Sequence, residues 1–369
     1  MLNSRWRYFD LSMLITTGVL MAFGCAAVWS AMGAGPLTFR NGGVQQAIFG
    51  LMGVMGMLLI ASFDYRFLGS LSWFVYIGGL VMLAGVLVAG REIYGAKRWF
   101  DLGFTTVQPS EFGKLATLVA LAWFISSRGS EMQSLGNFFV SMLIPLVPAI
   151  LVFREPDLGS AMCYMALWAS MLLVTRTRLR YIVGLVLLAA PTAILAYQFV
   201  LQPYQRDRIL IALDPSKDST DKGYNIIQAK ISIGSGGFSG FGLHGGTQST
   251  NNLLKVRESD FIFAHASGMF GFLGMSAVFI CYIVLLWRCI RVAETAKDQF
   301  GQCLAIGVAG LLFFQVFVNV GMNLAILPVT GITLPFISQG SSSVVTFLAA
   351  QGILQSILMR HRKLGFQSD

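Results

Sequence analysis

FIFAHASGMFGFLGMSAVFICYIVLLW, residues 261–287, is a run of 27 positions without a Lys, Arg, Asp or Glu. At 1.5 Å of rise per residue, about 20 such positions cross the roughly 30 Å of a bilayer's hydrocarbon core. Working outward from that run, nine further apolar stretches of spanning length cover approximately 11–33, 44–63, 71–90, 111–127, 136–153, 159–175, 181–201, 302–326 and 341–359. Composition agrees, because 55% of the 369 residues are hydrophobic and only 12% are charged, against about 25% charged residues in a soluble domain. The mean hydropathy is +0.69. A soluble enzyme is excluded, and the expected fold class is all-α: a polytopic integral membrane protein with about ten transmembrane helices. One domain over residues 1–369 is expected, with a single long extracytoplasmic loop over about 202–260. Arg5 and Arg7 lead straight into a full-length first span, with no small-residue cleavage pattern.

Orientation is read from Lys and Arg in the short loops, which are retained on the cytoplasmic side. The side holding the N-terminus carries thirteen: Arg5, Arg7, Arg66, Arg128, Arg176, Arg178, Arg180, Arg288, Arg291, Lys297, Arg360, Arg362 and Lys363. The opposite short loops carry five: Arg40, Arg91, Lys97, Arg98 and Arg154. Both termini are expected in the cytoplasm of a cell with an inner membrane, and the long loop outside. The net charge of +9 is mainly this topology signal. No clustered basic patch supports nucleic-acid binding. The five cysteines and three histidines show no ligand spacing for zinc or haem.

Ionisable groups at membrane depth are costly and face cavities or partners, and the conspicuous ones here gather on the outer side. KRWFDLG (97–103) is followed by QPSEFGK (108–114), where Ser110 is the expected helix cap and Glu111 sits in the first turn within reach of Lys114. An ordinary capped helix with an ion pair explains this spacing as well as a charged cavity does. FREPDLGS (153–160) reads as a tight outer turn with Asp157 capping the sixth span. The long loop holds YQRDR (204–208), an amphipathic helix over 224–233, and seven glycines between 234 and 246. Within that run Gly240–Gly245 matches GxGxxG, but no βαβ unit surrounds it, so a dinucleotide is rejected. Close backbone packing, phosphate contact or plain flexibility are the readings left. KVRESDFIFA (255–264) brings Asp260 to the lip of the eighth span, as a helix cap or as a carboxylate in an Arg- and Lys-rich site. The stretch from Asn319 to Ser342 is a broken, Pro- and Gly-containing entry into span ten. Backbone of that kind needs burial in protein or a wet cavity.

Taken in order, KRWFDLG, QPSEFGK, PDLGSA, YQRDRI, GYNIIQAKISIGSGGFSGFG, ESDFIFA and GMNLAILPVTGITLPFIS resemble the SEDS family (shape, elongation, division, sporulation) over nearly the whole chain. LDP (213–215) and GTQ (246–248) are more similar to its rod-shape, RodA-type branch than to the division, FtsW-type branch. The resemblance implies a peptidoglycan glycosyltransferase that polymerises lipid II on the outer face of the cytoplasmic membrane during elongation. It implies a class B penicillin-binding protein and other elongation-complex membrane proteins as partners. By position, Asp260 matches the family's essential carboxylate, and Glu111 and Lys114 its ion pair. Arg98, Asp157, Arg206, Lys230, Gln248 and Ser338 fall in motifs that line or support the same cavity.

One carboxylate suffices for such chemistry. The acceptor's C4 hydroxyl must lose a proton as it attacks the anomeric carbon, which is a base's task. The lipid diphosphate leaves as a stable anion and needs its charge neutralised, by Arg, Lys or a divalent cation such as magnesium or manganese. No nucleotide cofactor is expected. The chain departs from the family at Gly268-Met269, where a Glu pair is common, at Glu155, where Gln is common, at Thr333 and at Gln339. A lipid II flippase and a noncatalytic scaffold for the penicillin-binding protein are the alternatives from other classes.

Overall fold

The computed structural model describes residues 5–361 except 37, 40, 94, 95, 104, 176, 203, 204, 208, 209, 212, 213, 216–221, 244, 247, 249 and 250. Each of the ten expected spans is a helix: α1 (Leu11–Ala31), α2 (Gly42–Ser62), α3 (Ser72–Ala89), α4 (Pro109–Arg128), α5 (Leu135–Arg154), α6 (Leu158–Leu172), α7 (Leu179–Leu195), α9 (Ile262–Thr295), α10 (Gln299–Asn323) and α11 (Ser341–Leu358). Between them, in the long loop, lies α8 (Lys222–Ser235). Seven of the ten are long and apolar enough to cross a membrane on their own account. α4 carries Glu111, Lys114 and Arg128, and α6 and α7 run only 15 and 17 residues.

The helices divide by what they touch. α2, α3 and α9 show rows of Leu, Phe, Ile and Met to the outside, a surface suited to hydrocarbon. α4, α10 and α11 are buried along most of their length. α11 packs against α2 and α4, and α10 against α4, α6 and α9. These central helices carry Glu111, Lys114, Gln315, Asn319, Asn323, Gln351 and Gln355, all buried. Polar side chains are tolerated there because protein, not lipid, surrounds them.

Helix ends follow the sequence with one correction. Asp10, Asn41, Ser134, Asp157 and Asp298 each accept a hydrogen bond from a backbone N–H of the helix they cap. Ser110 does not cap α4, because Pro109 already occupies the first helical position and Gln108 is the capping residue. Proline's fixed φ and missing N–H suit that first position, which moves the start back by one residue.

Two features were not expected from the sequence. Between α3 and α4 the chain forms a small antiparallel sheet, β1 (Arg91–Ile93), β2 (Ala96–Asp101) and β3 (Thr106–Val107), in the order β1-β2-β3. Its ladders satisfy backbone groups at a rim where no helix continues. In addition, α9 is broken at Gly271, with φ 61° and ψ −164°. The glycine run inserts at the break. The Phe241 and Gly242 N–H groups donate to the Gly268 and Met269 carbonyls, both at 2.9 Å, while the Phe272 and Leu273 N–H groups donate to the Gly237 and Phe238 carbonyls at 2.9 and 3.1 Å. A side chain on Gly240 would collide with the Met269 carbonyl. The glycines therefore serve close backbone packing. Gly268 and Met269 contribute carbonyls to this junction.

α8 extends the expected 224–233 helix by two residues at each end. Asn225, Ile226, Ala229 and Ser232 are buried on its inner face, and Ile227 and Ile231 are exposed on the other. Its inner face packs on α9 and α10, and Ser232 Oγ donates to the Ala264 carbonyl at 2.9 Å.

Candidate active site

At the end of the bundle away from the N-terminus, the starts of α2, α4, α6, α9 and α11 surround a cavity of about 930 Å³. The sheet forms one wall with Arg91, Arg98, Trp99, Asp101 and Thr106, joined by Thr105 of the β2–β3 connection, Gln108 and Asp157. Glu258, Ser259, Asp260 and the segments 329–333 and 339–343 form the facing wall, and Gln45, Gln46 and Phe49 of α2 close a third side. The lining mixes cations, carboxylates and hydroxyls with aromatic surface, which suits a ligand carrying both sugars and negative charge.

Asp260 precedes Phe261, the capping residue of α9. Its backbone carbonyl accepts from Asn319 Nδ2 at 3.3 Å and Asn323 Nδ2 at 3.0 Å. Both donors lie one turn apart on α10. Ser259 Oγ donates to Asp260 Oδ1 at 3.2 Å. A Cβ at Gly331 would stand 3.6 Å from Asp260 Oδ2, and Gly331 itself has φ +78°. The glycine keeps side chains away from that oxygen. Ser338 works one step behind: its hydroxyl donates to the Ser259 carbonyl at 2.8 Å and accepts from the Leu334 N–H at 2.8 Å.

Arg98 and Asp157 meet across the opposite wall. Arg98 Nε donates to the Glu155 carbonyl at 2.9 Å, one terminal nitrogen donates to the Pro156 carbonyl, and the other stands 3.8 Å from Asp157 Oδ2. Asp157 also accepts from the Ser160 N–H at 3.0 Å, Ser160 Oγ at 2.9 Å and Gln108 Nε2 at 3.3 Å. At the mouth, Arg91 pairs with Asp101. The Gly103 N–H and the Arg91 guanidinium hold the Asp101 carboxyl below its ordinary value.

Below the cavity, Lys114 Nζ donates to Glu111 Oε1 at 2.7 Å, with both side chains buried. Asp260, Arg98 and Asp157 thus line one cavity, while Ser338 and the Glu111–Lys114 pair brace its walls and floor. The other three residues singled out by resemblance stand elsewhere. Arg206 donates to the Leu201 and Gln198 carbonyls at 3.0 and 2.8 Å, closing the turn after α7. Lys230 projects from the exposed face of α8, and the Gln248 carbonyl accepts from the Leu253 N–H at 2.9 Å. Tyr204, Arg208, His244 and Thr247 lie outside the described residues. Sequence reading missed Asn319 and Asn323 as the holders of Asp260. Their signal is two amides at i and i+4, with Gln315 one turn before them, in a mostly apolar span.

The cell cycle protein model FtsW/RodA/SpoVE matches residues 5–363. The chain is 36% identical over 360 residues to the peptidoglycan glycosyltransferase MrdB of Escherichia coli K12, covering 97% of this chain and 95% of that protein. It is 33% identical over 350 residues to stage V sporulation protein E of Bacillus subtilis, covering 94% of each. Among solved structures, it resembles a chain from a peptidoglycan synthase complex that coordinates polymerization and crosslinking, with a TM-score of 0.83, 29% identity and coverage of 96% of this chain and 98% of that one. The crystal structure of the Thermus thermophilus rod shape determining protein RodA matches with a TM-score of 0.70 and 27% identity, covering 95% of this chain and 96% of that one.

Proposed function

Since the chain belongs to the FtsW/RodA/SpoVE family of cell cycle proteins, we infer that it is a peptidoglycan glycosyltransferase, an integral membrane enzyme that polymerises lipid II into glycan strands for cell elongation and shape. One observation carries the reading in this chain: a carboxylate, Asp260, and a guanidinium, Arg98, line a single cavity of about 930 Å³ at one end of a lipid-facing bundle. The acceptor's C4 oxygen bonds to the donor's anomeric carbon as the bond from that carbon to the diphosphate oxygen breaks. Asp260 takes the hydroxyl proton. The departing lipid diphosphate keeps the bonding electron pair, and Arg98 and Arg91 supply positive charge on the facing wall. The Asn319 and Asn323 amides fix the Asp260 backbone, so the base does not have to be ordered by substrate.

Magnesium or manganese has no ready protein cluster to enter, since no three His, Cys, Asp or Glu side chains come together among the described residues. Either ion would be held by the substrate's diphosphate with one or two cavity carboxylates, and would add positive charge beside that of Arg98 and Arg91. The cavity opens to the outer face in this reading, with both termini in the cytoplasm. The Lys and Arg distribution supports it, because Arg66, Arg128, Arg288 and Arg360 stand at the end opposite the cavity. A class B penicillin-binding protein is the proposed partner, which would cross-link the strands as they emerge.

The test is polymerisation of labelled lipid II by the purified full chain in detergent, with a divalent cation and a class B penicillin-binding partner. Wild type is expected to give long glycan ladders and Asp260→Ala none. Ladders from Asp260→Ala equal to wild type, or none from a folded, partner-bound wild type, would overturn the reading in favour of a scaffold or a transporter.

A further inference from the structure

Pro335 and Phe336 form the corners of a turn in which the Ile337 N–H donates to the Leu334 carbonyl at 3.1 Å. Phe336 has φ +67°, so the pattern is that of a type II turn, where proline suits the first corner and glycine or asparagine the second. A buried phenylalanine in the left-handed region is strained, and it persists only where its surroundings over-determine it. Two side chains from other helices do so here. Gln46 of α2 donates through Nε2 to the Phe336 and Ile337 carbonyls at 3.2 and 3.1 Å, and Tyr282 of α9 donates its hydroxyl to the Pro335 carbonyl at 2.5 Å. Three successive carbonyls are thus fixed. In a type I turn the peptide between the corners is rotated by about half a turn, which would aim the Pro335 carbonyl away from Tyr282.

Gln46 is buried, and its Oε1 has no hydrogen-bond partner among the described residues. An apolar side chain of the same length would fill the space without leaving a buried acceptor unmet. The residue therefore acts through its two donor bonds. Gly24 of α1 makes the room for them, since a Cβ there would collide with the Phe336 carbonyl and stand 2.9 Å from Gln46 Nε2.

We propose that Gln46 and Tyr282 are positioning residues for Asp260, acting through this turn; the role assigned to Asp260 rests on the polymerase reading. Just past the turn, Ser338 Oγ donates to the Ser259 carbonyl at 2.8 Å and the Gln339 N–H donates to the Glu258 carbonyl at 2.9 Å. These are the two residues before the base. On the other side, Asn319 Nδ2 donates both to the Asp260 carbonyl and to the Ile332 carbonyl, at 3.3 and 2.7 Å. Residues 258–260 are thus held by their carbonyls from α10 and from the turn, and Gln46 and Tyr282 keep the turn in the form that reaches them. A base displaced by about 1 Å loses rate without losing substrate. Gln46 also borders the cavity, and a direct hold on substrate would show in KM instead of kcat.

Two measurements on the full chain test this, and only the second needs the polymerase reading. Gln46→Met keeps the length of the side chain without its donors, Tyr282→Phe removes only the hydroxyl, and Gln355→Met removes a buried amide at the opposite end of the bundle, where it holds Asp10. Amide hydrogen exchange in detergent is expected to quicken by about tenfold at Ser338 and Gln339 in the first two variants and to stay as in wild type in the third. Unchanged exchange in the first two overturns the proposal. In lipid II polymerisation with the class B penicillin-binding partner, Gln46→Met and Tyr282→Phe are each expected to lose kcat by about tenfold at constant KM. Acting through one turn, the two together should cost little more than either alone. Gln355→Met should stay within about twofold of wild type. A rise in KM at unchanged kcat, fully multiplied losses in the double variant, or an equal loss in Gln355→Met would overturn the positioning role. A folded wild type that makes no glycan would sink the polymerase reading and leave exchange to decide whether the two side chains hold the turn.

Discussion

Glu155 occupies the turn between α5 and α6, almost wholly removed from solvent, and neither of its carboxyl oxygens has a hydrogen-bond partner among the described residues. Its backbone carbonyl anchors Arg98. Burial first, and then the neighbouring Asp157 carboxylate, push the Glu155 carboxyl up to about 8, against a smaller opposing pull from Arg98. A protonated Glu at this position is close to Gln in shape and charge. The folded value exceeds the ordinary value of 4.5, so Glu155 favours the folded state most strongly below pH 4.5. That contribution is lost as pH rises through about 8. Glu155→Gln is expected to remove this part of the alkaline decline in thermal unfolding midpoint in detergent, and an unchanged decline would contradict the assignment. Residues of this kind were half visible in the sequence. A charged pair in a short turn stood out, but its burial did not.

At the scale of elements, the junction between α9 and the glycine run shows how a break in a spanning helix is made affordable. A helix interrupted near the membrane boundary exposes unpaired N–H and C=O groups, each costing several kcal/mol in hydrocarbon. Here four hydrogen bonds from residues 237–242 meet them. Gly240 has φ +75° and stands against the Met269 carbonyl. Replacing it by valine costs about 1–2 kcal/mol for the left-handed conformation and roughly 1 kcal/mol for each junction hydrogen bond broken. Gly240→Val is expected to lower the thermal unfolding midpoint clearly. Gly234→Ala, with open space around it, should leave it near wild type, and equal effects would refute the role of the junction. The glycine spacing was plain in the sequence. What it packed against was not, because the partner residues 268–273 lie beyond the intervening loop. The small sheet is hidden for a related reason: Arg91–Ile93 and Thr106–Val107 are too short to show an alternating pattern.

For the whole molecule, the two ends of the bundle are built differently. At the N-terminal end the chain is fastened by polar contacts between distant segments. Asp10 exchanges backbone hydrogen bonds with the Gln355 side chain and pairs with Arg288. Tyr65 and Arg66 both donate to Asp298, at 2.8 and 3.1 Å, and Arg360 donates to the carbonyls of Ala61, Ser62 and Ser356. The other end opens into the large cavity. Labelling intact cells with a membrane-impermeant thiol reagent tests the proposed orientation. Leu102→Cys, exposed at the cavity end, should react from outside, and Arg128→Cys, exposed at the opposite end, only after permeabilisation. The reverse pattern would invert the proposed topology.

The sequence by itself determined the membrane class, the ten helices and their approximate ends, and the family, because spanning length, loop charge and ordered motifs are local properties of the chain. It also brought Asp260, Arg98, Asp157 and the Glu111–Lys114 pair into view, since charges in such an apolar chain are conspicuous. Only the tertiary structure decided which of these share a cavity, that Arg206 closes a separate turn, and that Asn319 and Asn323 hold the Asp260 backbone. Apart from the local Arg206 turn, those relations join segments about 50 to 200 positions apart and depend on which face each helix turns inward. Helix periodicity constrains such a choice. The packing of all the helices together settles it.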